Sequence, residues 1–290
     1  MFKRKLGSTS EMLSVVGFGG ILVTDETPEE SSRIVAAAID RGINYFDVAP
    51  SYGNAEERLG PALEPYRKGV FLACKTGERD AAGAENELHA SLKRMRTDHF
   101  DLYQLHAVKT DEDVKQILGP AGALETFVKA REQGLVRYLG FSAHSEEAAL
   151  ALMNAFDFNT ILFPLNWAIW QQNHFGPEVL KVANQKGMGI LALKSLARRA
   201  WADDEERRWK KTWYCPVESA EEAAMALRFT LSLLGADGKP AVTAATSPGH
   251  FELFQWACDA ADHFTLLSEA ELEGLQQHGE GLELIFPQPA

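Results

Sequence analysis

Cysteine is scarce in this chain. There are three in 290 residues, Cys74, Cys215 and Cys258, far apart and without a C-x-x-C pair. That excludes a disulfide framework, a thiolate zinc site and an iron–sulfur module, and no metal site is expected. It also suggests a reducing compartment, so a cytoplasmic location is expected. No apolar run approaches the roughly 18 residues of a membrane helix, so no membrane span is expected. Residues 1–6 are basic, but Ser, Thr, Glu and Gly break the stretch after them, and it does not read as a signal peptide. Positive charge is in short supply: 29 Lys and Arg against 41 Asp and Glu leave a net charge of −12. This disfavours nucleic acid or an anionic membrane surface as a partner. Linkers, repeat arrays and low-complexity tracts are missing too. What remains, 46% apolar and 24% charged, is globular composition rather than disordered or fibrous.

A rhythm of short apolar run, polar break and helical stretch is present. The runs are residues 14–18, 44–47, 70–75, 100–106, 136–142, 160–166, 189–194 and 241–246, giving eight candidate strands. Most are near-continuously apolar, as expected when both faces are buried. Helical patterns separate most of them. Thr27 can cap a helix beginning at Pro28, with Glu29 and Glu30 in its first turn and Gly42 past its end. Further helices are expected at 84–96, 123–132, 146–155 (capped by Ser145) and 177–186. Ser219 with Glu222, and Ser268 with Glu271, read as capping boxes for two more. Alternating strands and helices predict a parallel sheet, and eight such units predict a closed α/β (β/α)8 TIM barrel. One domain over residues 1–290 is expected. The rival, an open doubly wound sheet, calls for a Gly-rich turn, and Gly17-Phe18-Gly19-Gly20 lacks the third glycine. Two segments fall outside the rhythm. Residues 2–6 and 11–13 flank Gly7-Ser8-Thr9-Ser10 and read as an N-terminal β-hairpin placed to plug the lower end of the barrel. Residues 197–217, after strand 7, read as a long loop carrying Trp201, Trp209, Trp213 and Tyr214.

Barrel enzymes place working groups at the C-terminal ends of strands. There stand Asp47, Lys75, His106, Ser142, Asn166 and Lys194, with Tyr52 in the turn five residues after Asp47. If Lys75 points inward, so do Ala73 and Phe71, while Cys74 points out; an inward His106 brings Gln104 and Leu102 with it. Taken singly, an Asp–Lys pair is a structural ion pair, a His a packing residue and a Tyr rim packing. Together at one mouth, Asp47, Tyr52, Lys75 and His106 read as a catalytic acid. A free phenol has a pKa of about 10, which an adjacent ammonium lowers. A buried lysine stays charged only beside a carboxylate. His106 can hydrogen-bond the same substrate oxygen and orient it. The set protonates an oxygen as charge builds on it, which suits carbonyl reduction where a hydride donor is bound. Ser247-Pro248-Gly249 after the eighth strand reads as a helix start able to hold phosphate oxygens, with Lys194 facing the same place.

These residues resemble the aldo-keto reductase family. Asn44-Tyr45-Phe46-Asp47-Val48-Ala49-Pro50-Ser51-Tyr52-Gly53, followed by Glu56-Glu57-Arg58-Leu59-Gly60, is similar to its aspartate–tyrosine signature. Phe71-Leu72-Ala73-Cys74-Lys75-Thr76 resembles its lysine strand. Arg94-Met95-Arg96-Thr97-Asp98 with Asp101-Leu102-Tyr103-Gln104-Leu105-His106 resembles its histidine strand, and Gly134-Leu135-Val136-Arg137-Tyr138-Leu139-Gly140-Phe141-Ser142 its fifth-strand motif. Residues 188–196 and 211–216 resemble a bacterial branch in which some members carry an iron–sulfur tail; this chain lacks the cysteines for one. The resemblance implies an NAD(P)H-dependent, reversible reduction of a small-molecule aldehyde or ketone, with Tyr52 as general acid. It implies cofactor contacts at Gly20, Asp47, Ser142, Asn166, Lys194, Leu196, Ser247, Gly249 and His250. It also implies a substrate pocket lined by Trp201, Trp213 and Tyr214, with Trp167 or Trp170 as further candidates. It slightly favours NADP(H) over NAD(H).

Three departures stand out. Ala143 follows Ser142 where the family often has Asn, and Leu162 stands where it often has Gln, so His144 or Asn166 is left to compensate. Residues 241–290 hold eight acidic residues and no Lys or Arg, although the family commonly grips the NADP 2′-phosphate just after Ser247. Either NAD is accepted, or Arg198, Arg199 or Lys210 reaches over from the long loop, or cofactor affinity is poor; for the two arginines, pairing with Asp203, Asp204 and Glu205 is the favoured expectation. Two other classes stay open: a dinucleotide-sensing regulator with slow turnover, and a Schiff-base lyase or isomerase using Lys75.

Overall fold

The computed structural model describes residues 1–286. The chain opens with an antiparallel hairpin, β1 (Lys3–Lys5) and β2 (Met12–Ser14), in the register Arg4↔Leu13. Eight parallel strands then alternate with helices: β3 (Val16–Gly19), α1 (Pro28–Asp40), β4 (Tyr45–Asp47), α2 (Ala55–Leu63), β5 (Phe71–Thr76), α3 (Ala81–Arg94) and β6 (Phe100–Val108). After α4 (Asp111–Leu118) and α5 (Ala123–Glu132) come β7 (Val136–Ala143), α6 (Glu146–Ala155) and β8 (Thr160–Pro164). Next are α7 (Trp167–Asn173), α8 (Pro177–Gln185) and β9 (Gly189–Leu193). A second hairpin follows, β10 (Ala197–Ala200) and β11 (Tyr214–Pro216), then α9 (Ala220–Ser232), β12 (Val242–Thr246), α10 (Phe251–Asp262) and α11 (Glu269–Gly279). The sheet closes in the order β12-β3-β4-β5-β6-β7-β8-β9, which is the expected barrel.

Local chemistry places the helix starts. The Thr27 side chain accepts from the Glu30 amide and Pro28 occupies the first turn, so α1 begins where its cap does. Ser145 and Ser219 cap α6 and α9 in the same way, and Ser268 with Glu271 closes a full capping box on α11. At α9 the box is only half formed, because the Glu222 carboxylate accepts from the Glu218 amide instead. Three short helices escape the sequence patterns. α2 contains Pro61, α4 buries only Val114 and Ile117, and α7 spans Trp167–Asn173. Each is held by what it packs against rather than by its own periodicity.

Strand alternation separates two cores. Leu72 and Cys74 face the helices, whereas Phe71 and Ala73 face the barrel axis with Tyr45, Leu102, Leu162, Leu191 and Ala244. Leu6 and Leu13 of the first hairpin complete that inner cluster, so the hairpin plugs the barrel floor. Arg4 pins it by donating to the Leu231 and Val242 carbonyls at 2.9 and 2.8 Å.

Three sequence expectations need correction. Residues 197–217 are not a structureless loop, since Ala200 pairs with Tyr214 and Ala197 with Pro216. Asn166 does not end a strand: β8 stops at Pro164, and Asn166 caps α7, its side-chain carbonyl accepting from the Ile169 amide at 3.1 Å. Ser247-Pro248 is not a helix start, because α10 begins at Phe251 with His250 in the cap position. The Ser247 hydroxyl accepts from the Gly19 amide at 3.2 Å instead, tying β12's exit to β3.

Candidate active site

Asp47, Lys75 and His106 leave the C-terminal ends of β4, β5 and β6, and Tyr52 comes from the turn after β4. Register sets their heights, with Asp47 opposite Ala73 and Lys75 opposite Gln104. Lys75 Nζ is ion-paired with Asp47 and lies 3.5 Å from the Tyr52 hydroxyl. Asp47 also accepts from Gln104 Nε2 at 3.0 Å and from the Tyr45 hydroxyl at 3.2 Å, so the carboxylate is fixed from three sides. The His106 ring meets the Tyr52 ring edge-on at 5.6 Å, and its Nδ1 lies 3.2 Å from Ser51 Oγ. A backbone irregularity aims it. Ala107 has φ 53°, the β6–β7 register shifts there, and the Ala107 amide donates to Ser142 Oγ at 2.7 Å.

Electrostatics follow from this packing. Burial opposes the charge on Lys75, but Asp47, helped by Tyr52, carries its pKa above the ordinary lysine value. Burial pushes His106 down to about 3, aided by Lys75, Lys194 and Arg79, so the imidazole is neutral at physiological pH. The tautomer in which Nδ1 accepts the Ser51 proton carries its hydrogen on Nε2, free to be donated to a substrate oxygen. Tyr52 departs from the expected direction. Lys75 does pull its pKa down, but burial is the larger effect and the phenol ends above its ordinary value.

The four residues open into one cavity of about 200 Å³ that is continuous with solvent. Of the other residues singled out in the sequence, Ser142, Lys194, Ser247, Gly249, Trp213 and Tyr214 line it. Gly20, Asn166, Leu196, His250 and Trp201 do not. Gly20 sits behind the wall, where a Cβ would lie 2.8 Å from Val48. Asn166 is buried, its amide donating to the Lys194 carbonyl at 3.3 Å. Leu196 is in the core, and its carbonyl accepts from the Val217 amide. His250 Nε2 accepts from the Lys211 amide at 2.9 Å. Trp201 donates to the Thr212 carbonyl at 3.0 Å and so holds the β10–β11 hairpin. Trp167 and Trp170 pack into the outer core. His144 reaches the cavity beside Ala143, as one of the two compensating candidates, and Leu162 lines it as well.

Arg198 pairs with Glu218 and Arg199 with Glu205, so neither reaches the cavity. Lys211 does line it, paired with Glu26 at 2.6 Å, and Arg208 pairs with Glu252 in the first turn of α10 at 3.3 Å. Spacing offered no sign of these two. The fold of residues 197–217 brings them beside the segment that carries no basic residue of its own.

Fold and site together define an α/β barrel with a phenol, an ammonium–carboxylate pair and a neutral imidazole gathered at the C-terminal mouth. Residues 15–228 match the family model described as "Aldo/keto reductase family", and the chain belongs to that family. The chain is 34% identical over 157 residues to the uncharacterized oxidoreductase YqkF of Bacillus subtilis, covering 49% of this chain and 49% of that protein. It is 29% identical over 200 residues to the B. subtilis aldo-keto reductase YhdN, covering 64% of this chain and 58% of the relative. The chain thus spans about half of the first relative and less than two thirds of the second. Among solved structures, the holo form of an aldo-keto reductase from Bacillus halodurans superposes with a TM-score of 0.73 at 22% identity, over 98% of each chain.

Proposed function

We propose that this chain is an NAD(P)H-dependent oxidoreductase that reversibly reduces an aldehyde or ketone to an alcohol. The observation that supports this best is the convergence of Tyr52, Lys75, Asp47 and His106 on one cavity. The bound nicotinamide would supply the hydride to the carbonyl carbon. Tyr52 donates its phenolic proton to the carbonyl oxygen. Lys75, kept charged by Asp47, stabilises the phenolate that remains. Neutral His106 donates Nε2–H to the same oxygen and sets its angle. A charged Lys75 has no lone pair for a Schiff base, which disfavours lyase chemistry.

The residues present fit a dinucleotide. Ser142 Oγ already accepts from the Ala107 amide, leaving its proton free for a carboxamide oxygen. The cavity runs on to Ser247 and Gly249, where a Cβ would lie 2.1 Å from Ile21, so backbone comes close to any occupant. Lys211, which lines the cavity beside Gly249, is the basic group that supports a phosphate contact, and it is paired with Glu26. This favours NADP(H), in line with the family resemblance.

The test is a fluorescence titration with NADPH and NADH, followed by a panel of aldehydes and ketones, on wild type and Tyr52→Phe. The variant should bind the cofactor within about twofold of wild type and lose the roughly 10²–10⁴-fold that a positioned acid contributes. Turnover retained in Tyr52→Phe would remove the tyrosine from the mechanism.

A further inference from the structure

Three lysines line the cavity, and two of them have carboxylate partners: Lys75 with Asp47 and Lys211 with Glu26. The third, Lys194, has none among the described residues. Its Nζ lies 3.2 Å from His144 Nε2, 5.3 Å from the centroid of the Trp213 ring and 5.5 Å from that of Phe286. Phe286 also stands against the His144 ring at 5.5 Å and Trp213 at 5.9 Å, so aromatic rings flank the half-buried Lys194, with Trp213 itself 54% exposed. The backbone is unusual as well. Lys194 has φ 63°, a left-handed conformation that costs a residue with a Cβ and that the end of β9 imposes. Burial and the charges of Lys109 and Lys75 depress its pKa to about 7, with no acid opposing them. An anion bound here would relieve a desolvated, uncompensated charge.

We propose that Lys194, with His144 and Trp213, binds a carboxylate at the far end of the carbonyl substrate, making oxo-acids the preferred class. This rests on the reductase reading above and adds the substrate class to it. The shared chemistry is anionic oxygen, which a cofactor phosphate could also supply. Position favours the substrate. His144, which faces Lys194 Nζ, stands two residues after Ser142, and Ser142 Oγ accepts from the amide of Ala107, next to His106. Lys194 therefore belongs to the proton-donor end. Lys211, whose Cβ would lie 2.9 Å from a Cβ on Gly249, marks the other end with Ser247. A short oxo-acid with its carbonyl at Tyr52 and its carboxylate at Lys194 is the probe, since both residues line the one cavity.

The experiment compares kcat/KM for 4-oxobutanoate and its methyl ester in wild type, Lys194→Met and Lys194→Arg, with NADPH affinity measured by fluorescence without substrate. A charge-assisted contact predicts that wild type prefers the acid by about tenfold or more. Lys194→Met should lose that preference through a raised KM for the acid, with the KM of the ester moving far less. Lys194→Arg should retain most of the preference. Equal preference in wild type and Lys194→Met would overturn the assignment. So would a tenfold loss of NADPH affinity in Lys194→Met, which places the cofactor's phosphate on Lys194. Failure of wild type to reduce either compound, or any aldehyde of the panel, would overturn the reductase reading itself.

Discussion

A buried ammonium keeps its full charge near neutral pH when a counter-charge stands beside it, and at Lys75 that is Asp47. Lys75→Met should therefore cost catalysis about as much as Tyr52→Phe, roughly 10²–10⁴-fold in kcat, because the phenolate then forms in an uncompensated cavity. Stopped-flow single turnovers would check this, and a variant within tenfold of wild type would contradict it. The two cavity histidines carry a stability consequence. His106 is pushed down to about 3 and His144 to about 2 in the folded protein, by burial first in both. In the unfolded chain each titrates near 6.5. Below that value the unfolded chain takes up protons that the folded histidines refuse, so their contribution to stability is present above pH 6.5 and is lost as pH drops toward 3. Melting temperature should already decline between pH 7 and 5, above the carboxylate range, and a His106→Asn, His144→Asn double variant should show a flatter profile. An identical slope in the two proteins would rule out the histidines as its source.

Among the elements, the first hairpin and the second do different work. The first closes the barrel floor, with Leu6 fully buried against the inner cluster at the end opposite the cavity. Leu6→Ala should destabilise by about 2–5 kcal/mol, the usual range for a truncated core leucine. Its kcat at 25 °C should match wild type, and a changed kcat with unchanged stability would mean the floor communicates with the site. The second hairpin shapes the mouth, supplying Lys211, Trp213 and Tyr214 to the cavity wall. Caps were legible in the sequence because they depend on residues three positions apart. α2 and α4 were not: Pro61 masks the first, and the Thr110–Asp113 capping box of the second precedes a helix with only two buried residues.

At the level of the whole molecule, closure is the deciding event. The family match ends at residue 228, yet the barrel closes only when β12 pairs with β9 on one side and β3 on the other. Until then, two strand edges carry unpaired backbone groups, and the Lys75–Asp47 pair lies in a sheet open to water. Truncation after Lys239 should therefore give a protein that aggregates and lacks a cooperative thermal transition. A soluble truncated form with a sharp unfolding transition, seen by circular dichroism and sedimentation, would show that seven strands suffice.

The barrel, the plugging hairpin and the four groups of the candidate acid could be read from order and spacing alone. Strand periodicity assigns each side chain to the inner or outer face, and the four candidate groups all stand at strand ends or the turn beside one. Tertiary structure decided what depends on segments meeting across the mouth. Asn166 turned from a candidate ligand into a helix cap, Ser247 from a cap into a tie between strands, and Arg198 and Arg199 into partners of nearby glutamates. Lys211 and Arg208 became the basic groups near Gly249 and α10, and Lys194 was left without an acid. The physical reason is that backbone periodicity is a local property, whereas the partner a charge finds depends on which distant loops the closed barrel brings within reach.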